Sequence, residues 1–143
     1  MKTYDISSLE KLRQAINLEV PTFSDKQIIL LEGPLGSGKT QTARYIIEEL
    51  GGGEICSPSF AIHNIYQTER GEVDHIDLYR LEDGDDIEST GFWDLFEKPK
   101  GLILIEWANY LQEDMIPIYW DRLRFKFEFK SENARSLNIE SVK

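Results

Sequence analysis

The stretch IILLEGPLGSGKT, residues 28–40, constrains the fold of this chain more than any other feature. The short run IILLE is almost entirely apolar, as is typical of a strand that is buried on both faces of a parallel sheet. After the glycine-rich segment, apolar residues recur at helical spacing, at Ala43, Ile46, Ile47 and Leu50. The order of strand, glycine-rich loop and helix therefore predicts an α/β fold.

The glycine-rich segment fits the pattern G-x-x-x-x-G-K-[ST], which is that of a phosphate-binding loop, or P-loop. Its glycines allow the backbone amides to point at phosphate oxygens, and the following helix adds the positive end of its dipole. We expect Lys39 to contact the β- and γ-phosphates and the Thr40 hydroxyl to bind Mg²⁺. The predicted nucleotide-binding residues of the loop are Gly33, Leu35, Gly36, Ser37, Gly38, Lys39, Thr40 and Gln41.

A nucleotide triphosphatase also needs a carboxylate near the metal or the attacking water. Glu106 ends a second apolar run, LILIE, and is predicted to be a catalytic and metal-binding acid. Asp77 is a second candidate, because aspartate is disfavoured inside a strand and its presence there needs a local reason. The alternatives are a plain surface acid for Glu106 and a salt bridge to Arg80 for Asp77.

The segment CSPSF, residues 56–60, lies between the predicted helix of the loop unit and the next strand. Switch loops occur at this place in nucleotide-binding proteins, so the Ser57 and Ser59 hydroxyls are candidates for contacts with Mg²⁺ or the γ-phosphate. A plain turn fixed by Pro58 is the alternative. Trp107 follows Glu106 directly, and its position suits either the core or a partner surface.

The two histidines, His63 and His75, have no His or Cys partner at zinc-ligand spacing, so both are expected in the core or on a strand surface. Ser7 and Glu10 have capping-box spacing at the start of a first helix, SSLEKLRQAI. The runs FAIHNIYQT and VDHIDLYRL predict strands around the turn ERGE. The runs RLRFKFEFK and RSLNIESV predict a hairpin closed by the five-residue link SENAR.

The length supports a single domain over residues 1–143. The apolar runs together with the alternating strands predict a mixed sheet that is parallel near the nucleotide and antiparallel elsewhere. The 26 acidic and 16 basic residues give a net charge of −10, which argues against independent nucleic-acid binding. The single cysteine, Cys56, cannot form an internal disulfide, which fits a cytoplasmic protein. No apolar run approaches the roughly 20 residues of a membrane helix, and the N-terminus lacks a signal-peptide core.

The P-loop, SPSF, HIDLYRL and LILIEW, in this order, together resemble the TsaE family, formerly YjeE. These are the P-loop ATPases of bacterial tRNA threonylcarbamoyladenosine synthesis. The resemblance is strong over residues 28–110 and weaker towards both ends. The family loop commonly reads GDLGAGKTT, whereas Pro34, Ser37 and Gln41 stand at three of those positions here, and Ser59 replaces the threonine of SPTF.

The resemblance implies that the nucleotide is ATP and that the metal is Mg²⁺. It implies that Glu106 binds or orients the metal, that Asp77 is an acid near the γ-phosphate, and that Trp107 belongs to the motif. Arg135 resembles a C-terminal arginine that lies against the nucleotide. Ser7 or Ser8 corresponds to the place where family members touch the adenine.

The resemblance also implies protein partners, TsaB and TsaD, with TsaD transferring the threonylcarbamoyl group and tRNA reached only indirectly. The first functional hypothesis is therefore an ATPase subunit that supports turnover of the complex modifying position 37 of tRNA. The second is a small-molecule P-loop kinase, which needs a lid and an arginine cluster that are not readable here. The third, a nucleotide-gated docking module without meaningful hydrolysis, stays open. No Asn-Lys-x-Asp guanine motif is present, which favours ATP.

Overall fold

The computed structural model describes residues 1–53, 55–60, 63–78, 92–108 and 116–142. Its strands are β1 (Lys2–Asp5), β2 (Lys26–Glu32), β3 (Ile55–Phe60), β4 (His63–Thr68), β5 (Gly71–Asp77), β6 (Gly101–Glu106), β7 (Asp121–Ser131) and β8 (Ala134–Val142). Its α-helices are α1 (Leu9–Glu19) and α2 (Lys39–Glu49), and short 3₁₀ turns cover Val20–Thr22 and Phe92–Glu97.

The strands form one mixed sheet in the order β1-β8-β7-β2-β6-β5-β4-β3. The central strand β2 pairs in parallel with β6 and β7, and β5 pairs in parallel with β6. The outer pairs are antiparallel. The predicted α/β fold with a parallel centre is thus confirmed. Since β2, β5 and β6 run in one direction, their carboxyl ends meet at the same edge of the sheet, where ligands of such folds bind.

The centre of β2, residues 28–31, is entirely apolar because both faces of the strand are covered there. Ile29 and Leu31 pack on the side of α1 and α2, with Ile46 and Leu104 in the same cluster. Ile28 and Leu30, which alternate with them, belong to a second cluster on the opposite side of the sheet. That cluster also contains Ile76, Ile103, Ile105, Phe96 and Trp120. The two clusters explain why IILL shows no alternation of apolar and polar residues.

Two predicted connections differ from the structure. Residues 56–60 belong to the outermost strand β3, so the predicted loop or turn at this place is wrong; β3 pairs irregularly with β4, and proline is tolerated on edge strands and at bulges. The β7–β8 link is shorter than SENAR: Ser131 pairs with Ala134, leaving Glu132 and Asn133 in the turn. β7 extends to Ser131 and β8 begins at Ala134, so both strands include residues that were predicted to be in the link.

The first helix begins one residue later than its capping-box pattern predicts. Ser8, with φ −134 and ψ 160, is the N-cap, and its hydroxyl accepts a hydrogen bond from the Lys11 backbone amide. The Ser7 hydroxyl instead donates to Asp5 Oδ1 and accepts from the Arg135 amide. The Ser7 capping prediction is therefore wrong, because contacts with β1 and β8 hold its side chain away from the helix.

Across the part of the chain that the structure describes, no helix is both long enough and apolar enough to span a membrane.

Candidate functional site

A cavity of about 720 Å³ opens at the carboxyl edge of the parallel strands. It lies among the glycine loop, the starts of α1 and α2, the ends of β5 and β6, and the start of β8. Its volume is within the range of small-ligand pockets. The lining residues are Ile6, Ser7, Ser8, Leu9, Leu12, Leu35, Gly36, Ser37, Gly38, Lys39, Thr40, Gln41, Arg44, Asp77, Glu106, Trp107 and Arg135.

The glycine loop needs its glycines for two separate reasons. A β-carbon at Gly33 would stand 2.8 Å from both Cβ and the carbonyl oxygen of Phe127, so the loop runs directly against β7. Gly36 has a φ of 76, a conformation that residues with a β-carbon rarely adopt, although no neighbouring atom lies within 4 Å of its would-be β-carbon. Gly33 thus allows the loop to pack against β7, and Gly36 allows the backbone to turn.

We expect Gly33→Ala to destabilise the protein by about 1–3 kcal/mol, because the added methyl group overlaps the backbone of β7 and the φ of 154 is strained for alanine. Denaturant unfolding monitored by circular dichroism measures this loss. Gly53→Ala is the matched control, since no atom lies within 4 Å of its would-be β-carbon. Equal stability of the two variants would show that the close approach to Phe127 is unimportant.

Lys39 begins α2 and points back into the loop. Its side-chain ammonium donates hydrogen bonds to the carbonyl oxygens of Gly33, at 2.5 Å, and Pro34, at 2.8 Å. The same ammonium lies 3.9 Å from the centre of the Trp107 ring, which is cation–π distance. Lys39 is only 4% exposed, so a positive charge is held under the curve of the glycine loop.

Two carboxylates lie near this charge. Burial lowers the pKa of Lys39, while the negative charges of Glu106 and Asp77 work in the opposite direction. Asp77 pairs in register with Glu106 on the neighbouring strand, and both line the cavity. Asp74 lies on the opposite face of β5, where it accepts from Lys98, so strand alternation selects Asp77 for the cavity.

Both oxygens of Glu106 are hydrogen-bonded. The Thr40 hydroxyl donates to Oε1 at 2.7 Å, and His75 Nε2 lies 2.6 Å from Oε2. Burial acts to raise the pKa of Glu106, but hydrogen bonds from His75 and Thr40, with the charge of Lys39, outweigh it and hold the pKa below its usual range. Glu106 is therefore ionised at neutral pH, and His75 Nε2–H is the donor.

Trp107 turns the chain directly after β6. Its φ of 60 is uncommon for any residue other than glycine. This backbone conformation places the indole over Lys39 and inside the cavity. Trp107 is thus a wall of the cavity as well as a neighbour of the second apolar cluster.

The wall of the cavity opposite Trp107 is formed by the segment before α1 and by the start of β8. The Arg135 amide donates to the Ser7 hydroxyl at 3.1 Å, and the Ile6 amide donates to the Arg135 carbonyl at 3.0 Å. The Arg135 guanidinium lies 5.4 Å from the centre of the Phe129 ring. β8 therefore brings Arg135 beside the start of α1, although the two are far apart in sequence.

The structure brings most of the predicted site residues into one cavity. Those that line it are Ser7, Ser8, Leu35, Gly36, Ser37, Gly38, Lys39, Thr40, Gln41, Asp77, Glu106, Trp107 and Arg135. Gly33 lies beneath them as an acceptor for Lys39. The side chains of Ser57 and Ser59 lie outside the described part of the structure, as does Arg80, the alternative partner of Asp77. The roles of all these residues stay predictions.

The sequence did not predict every residue of the site. The cavity is also lined by Ile6, Leu9, Leu12 and Arg44, and no motif marks these residues as part of a site. His75 was expected only in the core or on a strand surface, whereas it contacts Glu106. Strand alternation could have found it, because His75 lies two residues before Asp77 and so shares its face of β5.

The polar groups of the cavity suit a nucleotide phosphate with its metal. Ser37 Oγ is buried and, among the described residues, has no hydrogen-bond partner. Thr40 and Glu106 together present a hydroxyl and a carboxylate, which are oxygen ligands of the kind that Mg²⁺ prefers. Lys39 adds a cation in the loop.

Comparison with known proteins agrees with the fold and the motifs. The family model described as Threonylcarbamoyl adenosine biosynthesis protein TsaE matches residues 5–137. A Rickettsia felis protein described as tRNA threonylcarbamoyladenosine biosynthesis protein TsaE is 31% identical over 136 residues, which are 94% of this chain and 77% of the relative. A Bacillus subtilis protein with the same description is 31% identical over 116 residues, covering 80% and 70% of the two chains. A crystal structure of Bacillus subtilis YdiB superposes with a TM-score of 0.68 at 25% identity, covering 99% of this chain and 86% of that one.

Proposed function

Because the chain belongs to the TsaE family, we propose that it binds and hydrolyses ATP to support the synthesis of threonylcarbamoyladenosine at position 37 of tRNA. The observation that carries the proposal is the meeting of Lys39, Thr40 and Glu106 at one end of a glycine loop. In this proposal the chain does not itself transfer the threonylcarbamoyl group, and the nucleotide acts on partner subunits.

The amides of the glycine loop and the Lys39 ammonium would bind the β- and γ-phosphates. The Thr40 hydroxyl and the Glu106 carboxylate would hold Mg²⁺, which, when bound, neutralises charge on the phosphate oxygens. Asp77 lines the same cavity and would orient the attacking water. Arg135, Ser8 and Leu9 also line the cavity and would contact the nucleoside.

The partners in this proposal are TsaB and TsaD. The family name of the matched relatives refers to a product made on tRNA. A chain with a net charge of −10 is a poor binder of RNA phosphates, because binding requires cations that displace counterions. We therefore assign the tRNA contacts to the partner subunits and the nucleotide to this chain.

The test is ATP hydrolysis by the purified chain alone and with its cognate TsaB and TsaD. We expect slow release of phosphate from the isolated chain and faster release when both partners are present, because the partners would complete the site. Mg²⁺-dependent ATP binding without hydrolysis in the full mixture would instead support the docking module. Phosphate transfer to a small-molecule acceptor would support the kinase.

A further inference from the structure

His75 occupies a place in the site that the predicted P-loop chemistry does not use. It lies on β5, two residues before Asp77, and its side chain is 12% exposed. Its ring stacks at a tilt beside Tyr66, with the ring centres 6.5 Å apart. His75 does not line the cavity, so it stands behind Glu106 as seen from the ligand space.

The contact between His75 and Glu106 joins two strands through their side chains. His75 Nε2 lies 2.6 Å from Glu106 Oε2, while Thr40 Oγ1 holds the other oxygen, Oε1, at 2.7 Å. A glutamate has three rotatable side-chain bonds, so a carboxylate held at one oxygen only can still swing. The second hydrogen bond, from β5, fixes the plane of the carboxylate.

We propose that His75 is a positioning residue that orients Glu106, so that Glu106 and Thr40 form a prearranged pair of oxygen ligands for the Mg²⁺ of the nucleotide. The inference rests on the proposed function, since it concerns the metal site of the same cavity. Removing a residue that hydrogen-bonds to a metal ligand commonly lowers the affinity for the metal by about 10–100-fold.

The chain supplies its own control in a second histidine–carboxylate pair. His63 Nε2 lies 2.8 Å from Asp74 Oδ1, and the His63 side chain is 13% exposed. Asp74 is fully buried on the opposite face of β5 and also accepts from Lys98. The two pairs are thus alike in distance and burial, but only the His75 pair adjoins the cavity.

The experiment measures ATP affinity by calorimetry across a Mg²⁺ titration and in excess EDTA, for His75→Ala, His75→Gln and His63→Ala. We expect His75→Ala to raise the Mg²⁺ concentration that gives half of the maximal effect on ATP affinity by about tenfold or more. Its affinity for ATP in EDTA should be unchanged. His75→Gln should recover part of the loss, because its amide can donate to Glu106. His63→Ala should lower the melting temperature and leave the Mg²⁺ dependence at the wild-type value.

A wild-type Mg²⁺ dependence in folded His75→Ala, or an equal shift in His63→Ala, would overturn the positioning role and leave the proposed function standing. If both His75 variants unfold while His63→Ala folds, the pair is a folding element and the inference is also wrong. ATP binding by the wild-type protein that ignores Mg²⁺ would remove the metal site and with it the proposed hydrolysis.

Discussion

The Lys39→Ala variant is expected to lose tight ATP binding. Lys39 holds the ammonium group inside the glycine loop, where it is 4% exposed and within hydrogen-bond distance of two loop carbonyls. Hydrogen bonds to charged groups contribute about 1.5–3 kcal/mol each, so losing the two contacts that Lys39 is proposed to make with the β- and γ-phosphates predicts a loss of affinity of about 100-fold or more. Calorimetric titration with ATP and Mg²⁺ measures this loss.

Lys98→Ala is the matched control for the removal of a lysine charge. Lys98 forms an ion pair with the buried Asp74, so its loss perturbs both net charge and stability on the other face of the sheet. We expect Lys98→Ala to melt at a lower temperature and to bind ATP normally. ATP affinity near the wild-type value in Lys39→Ala would contradict the assignment of the phosphate-binding loop.

The parts of the fold that could be predicted are those that local sequence determines. An apolar run without alternation requires two covered faces, and the structure provides two clusters on either side of β2. A glycine loop between that strand and an amphipathic helix predicts which end of the sheet binds phosphate, and the structure has a cavity at that end. Glu106 could be predicted because it ends a second such run, and parallel pairing with β2 brings it to the same edge.

The missed features depend on contacts between distant segments. The residues CSPSF carry turn-like signals, yet pairing with β4 makes them a strand. The cap of α1 falls on Ser8 because β8 contacts Ser7, and no local pattern records that contact. His75 acquires its role from Glu106, which lies 31 positions later in the chain. Tertiary contacts decided the first two outcomes against the local pattern, whereas the contact of His75 agrees with the strand alternation of β5.

The Asp77→Asn variant is expected to bind ATP but to hydrolyse it more slowly by about one to several powers of ten, the scale of losing a positioned acid–base group. Asp77 lines the cavity in register with Glu106. The substitution keeps the shape of the side chain and removes its charge, whereas the loop amides and Lys39 retain most of the predicted phosphate contacts. Turnover with TsaB and TsaD, measured beside ATP affinity and melting temperature, tests the prediction.

Asp74→Asn controls for the loss of an aspartate charge from the same strand. Burial acts to raise the pKa of Asp74, but hydrogen bonds from His63 and Lys98 outweigh it and lower the pKa. Its ionised form therefore stabilises the fold above the pKa of the unfolded chain, and this stability is lost as the pH falls through the folded pKa. Asp74→Asn should thus have a lower melting temperature at neutral pH and hydrolyse ATP at the normal rate.

The rival explanation for Asp77, a salt bridge to Arg80 worth about 0–1 kcal/mol, predicts a small stability loss with normal turnover in both Asp77→Asn and Arg80→Gln. Unchanged hydrolysis in Asp77→Asn would remove this carboxylate from the chemistry of the site.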